Sequence, residues 1–248
     1  ANPGAGKKPH HPVIKISWFD CVKWCNARSE REGLKPCYTV SGEIYRSGDT
    51  EPACDFAASG YRLPVHEEWK YAMRGGLSGK RFPWGDTIQH RQANYRGYTN
   101  AYDLSRLQGY HPDFCESGQT HTSPVGSFAP NGYGLYDMAG NVAERCWDRS
   151  GSAHISVGGD FSKPADSVRC QTWWLNYPGV RYPNDGFRTV RRVAVSQLTA
   201  TNATTALRPS EPLSPSVMAL VPAGGFVSRH RTCSDSSAAM QSHVTTPS

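Results

Sequence analysis

The chain has 248 residues and a formal net charge of +6 at pH 7, with Lys and Arg totalling 27 against 21 Asp and Glu. Glycine (24) and proline (18) make up about one residue in six, against about 12% in average usage, which argues against a helical bundle, coiled coil or helical solenoid. No apolar run approaches the roughly 20 residues needed to cross a bilayer, so no membrane span is expected; mean hydropathy is −0.58.

Residues 1–10 read as an extended, Pro/Gly-rich lead-in without the basic-then-apolar order of a signal peptide. Val13–Ile16 reads as a short strand feeding a helix from Trp18 to about Glu32. Ser17 is its expected N-cap, Asp20 stands three residues on, and Gly33 is the stop. Cys21 and Cys25, one turn apart on that helix, are poorly spaced for a mutual disulfide and read as small buried residues. Cys37 and Cys54 bracket a hairpin-like stretch and are the best-placed disulfide pair. Eight cysteines are too few for a disulfide scaffold, yet more than a reduced cytosolic domain usually carries. The compartment stays open, with export slightly favoured.

A second helix is expected after Pro64, with Glu67 and Glu68 in its first turn, Arg74 in its last and Gly75-Gly76 at its end. Trp69, Ala72 and Met73 lie at i, i+3 and i+4 and should face the core. From Leu77 to about Pro130 the pattern is loop, a length that points to function or to an organising ion. Short strands are expected within Gly134–Asp148, Ser167–Trp174 and Gly186–Val193. Residues 194–248 shift to Ser, Thr, Ala and Pro and read as a linker or disordered tail with one apolar island, Val217–Phe226.

Several segments in this order resemble the family of the formylglycine-generating enzyme, or sulfatase-modifying factor. They include Ile16-Ser17-Trp18-Phe19-Asp20, Gly60-Tyr61-Arg62-Leu63-Pro64, Arg74-Gly75-Gly76, Phe82-Pro83-Trp84-Gly85-Asp86 and Ala93-Asn94-Tyr95. The series continues with Ser123-Pro124-Val125-Gly126-Ser127-Phe128, Asn131–Val142, Gly158-Gly159 and Gly186-Phe187-Arg188. The resemblance spans 11–193 and implies an α+β, C-type-lectin-like fold, loop-rich, with two helices and short antiparallel strands. Family members also carry an opening strand of the pattern V-P-A-G-x-F, expected to be missing ahead of His11. That pattern recurs at Val221–Phe226. Three explanations stand side by side: the start of a second tandem copy, a tail strand that takes the first strand's place, or chance.

The resemblance also says which chemistry to expect. Catalytic members hold copper with two thiolates just after a Gly-Gly-Ser motif. Here Asp160 replaces that serine, Lys163 stands about where the first cysteine belongs, and Trp173 stands where an arginine is usual. Cys170 matches a different, structural-looking cysteine, and the W-E-W pattern becomes Ala143-Glu144-Arg145. Copper therefore has no evident pair of soft ligands, and a non-catalytic module for a protein or carbohydrate ligand is the preferred expectation over the oxidase. Calcium is the expected cofactor. One site is implied at Asp137, Gly140, Val142 and Glu144, and a second at Asn94 and the Tyr95 backbone, for which the usual Asp is replaced near Ser117. Solvated turn carboxylates are the alternative reading of Asp137 and Glu144.

Non-catalytic members of the fold display ligand-binding residues on their carboxy-terminal segment. Here that segment holds Trp173, Trp174, Tyr177, Arg181 and Tyr182, a mixture typical of interface hot spots. Alternation sends one of Trp173 and Trp174 inward and the other outward; a mostly core role for these aromatics is the alternative. The basic charge is spread along the chain without a nucleic-acid motif, so no nucleic acid is expected.

Overall fold

The computed structural model describes residues 4–193 and 217–220. Helix α1 (Trp18–Arg31) begins at Ser17, whose Oγ accepts the Asp20 amide at 3.1 Å while the Asp20 carboxylate accepts the Ser17 amide at 3.1 Å. This reciprocal cap is the one expected from sequence, and it satisfies two amides that the helix start leaves without partners. The chain then forms β1 (Tyr38–Val40), β2 (Glu43–Ile44), β3 (Ala53–Cys54) and β4 (Tyr61–Arg62). Buried Asn26 ties α1 to this region, donating to the carbonyls of Tyr38 and Tyr45 and accepting the Tyr38 amide.

Helix α2 (His66–Arg74) starts at Val65, whose amide is accepted by Glu68 at 3.0 Å. Glu68 also takes both terminal nitrogens of Arg62 at 2.7 Å, fixing the entry angle. The helix stops at Gly75, which is left-handed, and Asn131 caps it from outside by donating to the carbonyls of Ala72 and Met73. Trp69, Ala72 and Met73 are buried, as their spacing requires.

The long connection that follows holds a one-turn 3-10 helix (Pro112–Phe114) and the small hairpin β5 (Cys115–Glu116) and β6 (Gln119–Thr120). The principal sheet comes next. Strands β7 (Ala143–Ser150), β8 (Ala153–Val157), β9 (Trp173–Asn176) and β10 (Asp185–Gly186) lie in the order β10-β7-β8-β9, with only the β10/β7 pair parallel. Strand β11 (Val190–Val193) pairs with β4 on one side and with β12 (Val217–Leu220) on the other. One apolar core lies between α2 and the loops around Phe82, Tyr95 and Met138, and a second lies under α1 around Trp18, Tyr38 and Leu63.

The structure corrects several expectations. Val13–Ile16 is not a strand: it makes one bridge, Ala5 to Ile14, and Lys15 has a left-handed backbone that breaks any ladder. Cys37 and Cys54 are free thiols. In the ladder Cys54 stands opposite Tyr38, so Cys37 is one residue out of register, and alternate strand residues point to opposite faces. Strand β8 was not expected, and residues 165–168 form a 3-10 turn rather than strand, so β9 begins only at Trp173. The tail supplies β12; Val221–Phe226 and the rest of it lie outside the described residues. No helix among the described residues is long and apolar enough to cross a membrane.

Candidate functional site

The outer face of β9 is the feature that folding leaves unfinished. Along the strand, exposure alternates: Trp173 is 47% exposed, Leu175 44%, and Tyr177 just beyond it 58%, while Trp174 and Asn176 are half-buried. Strand β9 is an edge of the principal sheet, paired only to β8 among the described residues. Three large side chains at every second position thus form a row on a free edge, where most proteins place charge or proline.

The turn after β9 is held from inside the protein. Arg145 on β7 is wholly buried and donates Nη2 to the Val180 carbonyl at 2.8 Å and Nη1 to the Tyr177 carbonyl at 3.4 Å. Its guanidinium also lies 3.3 Å from Asp185 and over the ring of Tyr182. Half-buried Tyr182 thus packs its ring on the guanidinium that holds the turn. Arg181 is partly exposed but paired with Asp20 at 3.2 Å. Leu175 in the row and Val180, exposed on the turn beyond it, are not singled out by the sequence; the parity Trp173, Leu175, Tyr177 is the available signal for Leu175.

Two carboxylates, Asp160 and Asp185, lie buried in this part of the fold. Asp160 accepts from the Ser162 amide at 2.8 Å and from the Asn184 amide group, and burial raises its pKa above the usual carboxylate value. Asp185 accepts from Asn176 at 2.7 Å; burial pushes its pKa up to about 6, against the opposing pull of Arg145. Cys170 is buried, and its thiol is pushed up to about 11 by desolvation, so it is protonated near neutral pH.

The residues implied for calcium come together in one cluster of loops. Asn141, left-handed at φ 66°, donates its amide to the Asn94 carbonyl at 2.8 Å and clasps the Ser123 backbone with its side chain. Gly140 packs so closely that an added Cβ would fall 2.3 Å from the Asn94 carbonyl oxygen. Asn94 Oδ1 and Asp137 Oδ1 are both buried without a hydrogen-bond partner among the described residues, as are Thr120 Oγ1 and Ser123 Oγ. Such oxygens are costly unless an ion or water meets them. Glu144 is different. Arg188 grips both its oxygens and Trp69 Nε1 donates to it at 2.6 Å, so its charge is already spent on an internal pair. Among the described residues no group of three or more His, Cys, Asp or Glu side chains is arranged to hold a metal. Of the two implied carboxylates, Asp137 thus keeps one buried oxygen without a partner, whereas both oxygens of Glu144 are engaged by Arg188 and Trp69. At the other implied site, Asn94 Oδ1 and the Tyr95 carbonyl offer neutral oxygens only.

Two short helices set against small sheets and long stitched loops make this a C-type-lectin-like α+β domain. A family model described as "Sulfatase-modifying factor enzyme 1-like domain" matches residues 1–193, and the chain belongs to that family. The chaperone protein LppX of Paenibacillus barcinonensis is 30% identical over 210 residues, covering 77% of this chain and 73% of that protein. The formylglycine-generating enzyme of Thermomonospora curvata is 34% identical over 209 residues, covering 73% of this chain. The chain spans 55% of that enzyme's length. Among solved structures, Treponema denticola variable protein 1 superposes with a TM-score of 0.59 at 27% identity, over 75% of this chain and 76% of that one.

Proposed function

We propose that this domain is a non-catalytic binding module that takes a protein or carbohydrate ligand on the row Trp173, Leu175 and Tyr177, with calcium as a stabilising ion. The carrying observation is the alternation of exposure along an edge strand, with three large side chains left 44–58% open to water. Aromatic residues of this kind bring large contact area with few rotatable bonds, which is why they dominate interface energetics. Relatives named as a chaperone and as a variable protein support a role outside catalysis. With Lys163 where the resemblance expects the first cysteine and Asp160 where it expects serine, Cys170 has no evident second thiolate for copper oxidation.

Calcium belongs to this reading through Asp137. With one carboxylate and backbone carbonyls as ligands, its affinity falls in the weak range typical of extracellular modules, about 0.1–1 mM.

The test has two arms. Wild type and a Trp173→Ala/Tyr177→Ala variant are screened side by side on glycan and peptide arrays; ligands bound by wild type and lost by the variant are the expected result. A Cys-x-Pro-x-Arg peptide is incubated with the protein, copper and oxygen and followed by mass spectrometry. An aldehyde product that vanishes in Cys170→Ser overturns the module reading in favour of the oxidase.

A further inference from the structure

A second site lies just ahead of β9, in a half-open cleft of about 510 Å³ between two loops. Its lining includes Lys80, Arg81, Asp86, Arg169, Gln171 and Thr172. The loops are zipped by the Cys170 amide, which donates to the Arg81 carbonyl at 2.8 Å. On one wall Phe82 and Gly85 form a bridge that closes a tight turn, and Asp86 accepts from the Arg81 amide and from Lys80 Nζ at 2.7 Å. On the other wall Arg169 Nε and Thr172 Oγ1 both donate to the Asp166 carbonyl, at 3.0 and 2.9 Å. The arginine stem is thereby fixed, while its two terminal nitrogens carry no hydrogen bond or ion pair among the described residues.

The charge of this lining selects its ligand. Three cations face one carboxylate, and that carboxylate is engaged by Lys80. Arg81 lies over the ring of Tyr102, a contact that leaves its in-plane donors free for an anion. Two guanidinium forks with an excess of two positive charges match a dianion better than a monoanion. No apolar side chain lines the cleft, whereas Gln171 and Thr172 offer an amide and a hydroxyl. The volume is that of a small-molecule site.

We infer that this cleft binds a phosphate monoester of a sugar or similar polyol. Arg81 and Arg169 hold the phosphate, and Gln171 and Thr172 meet hydroxyl groups. A phosphate monoester carries about −1.5 to −2 charges at pH 7, whereas a sulfate ester carries one. The site shares no residue with the Trp173 row, so loss of either function leaves the other measurable.

Isothermal titration of the full chain with glucose 6-phosphate, glucose 6-sulfate, inorganic phosphate and glucose tests it. Glucose 6-phosphate should bind at least threefold more tightly than the sulfate ester and than inorganic phosphate, and at least tenfold more tightly than glucose. Arg81→Ala and Arg169→Ala should each weaken it tenfold or more, and Asp86→Asn, which frees Lys80, should tighten it severalfold with the fold kept. Thr172→Val should weaken the sugar phosphate without changing inorganic phosphate. Absence of binding at 20 mM ligand, or an Asp86→Asn variant no tighter than wild type, overturns the site. Equal affinity for the sulfate ester overturns the dianion assignment, and equal affinity for inorganic phosphate overturns the polyol.

Discussion

Arg145 reaches from the centre of the principal sheet to the carbonyl of Val180, 2.8 Å away, and so fixes the exposed turn from below. Its position is one where catalytic relatives are expected to carry tryptophan, and here a buried cation holds the turn after β9 instead. The same guanidinium neutralises Asp185 at 3.3 Å, so both members of the pair depend on each other. Replacing Arg145 with Met should cost about 3–5 kcal/mol, because Asp185 is left buried and unpaired. Urea melts measure the loss, and hydrogen exchange at Tyr177–Val180 should accelerate more than in β7.

The exposed row should contribute only modestly to stability. Trp173→Ala and Tyr177→Ala remove rings that are only about half covered, Trp173 by an edge-on contact with His66, so the expected change is about 1 kcal/mol per site, well below that of a core ring. Thermal melting of the variant checks this; a larger drop would mean the rings pack internally.

Calcium should raise the melting temperature, and chelator should lower it, through Asp137. An ion that binds only the folded state stabilises by about 2.7 kcal/mol at a hundredfold excess over its dissociation constant. Asp137→Ala should abolish the calcium response, and Glu144→Gln should leave a response in place while lowering basal stability by disrupting the Arg188 pair. A melting temperature indifferent to calcium in wild type refutes the ion's role.

Acidification should destabilise the fold through its buried imidazoles. His154 stacks on Trp18 with ring centroids 3.9 Å apart, and burial lowers its pKa below 6.5. His90 and His111 are lowered for the same reason. A histidine with a depressed folded pKa binds fewer protons folded than unfolded. Its contribution is therefore complete above pH 6.5 and lost as pH falls below it. Asp185, raised to about 6 by burial, works in the opposite direction, favouring the folded state as pH falls through 6. Comparing melting temperatures at pH 7.5 and 5.5 in wild type and His154→Phe isolates the imidazole: the variant should lose less on acidification.

Proline at Met218 or Ala219 should weaken the β4–β11–β12 sheet. Consecutive strand amides point to opposite sides, so one of the two faces β11. That variant should lose about one ladder bond, roughly 0.5–1.5 kcal/mol, and speed amide exchange at Arg191 or Arg192, whereas its neighbour should not.

Much of the fold was legible because its signals are local. Ser17 with Asp20 caps a helix by a rule of spacing, and Trp69, Ala72 and Met73 mark a buried stripe by period. What escaped depends on contacts far apart in sequence. Strand β8 is centred on His154, Ile155 and Ser156, a polar-looking run that becomes strand because β7 and β9 flank it. The Cys37–Cys54 pairing failed on a one-residue register that spacing does not reveal. In the site, the pairing of Glu144 with Arg188, 44 positions away, is not marked by any local pattern. The exposed row itself was readable by parity, yet the buried anchor beneath it was not, since nothing local marks Arg145 as reaching Val180.

The pairing of β11 with β12 also defines a place for engineering. Val193 lies opposite Val217, so the two described strand ends stand on one rung of the ladder. Doubling the length of a flexible connection between two fixed points costs only about 0.6 kcal/mol in closure entropy. An epitope or reporter grafted there would begin and end within one rung of the same ladder, on a strand that does not carry the exposed row.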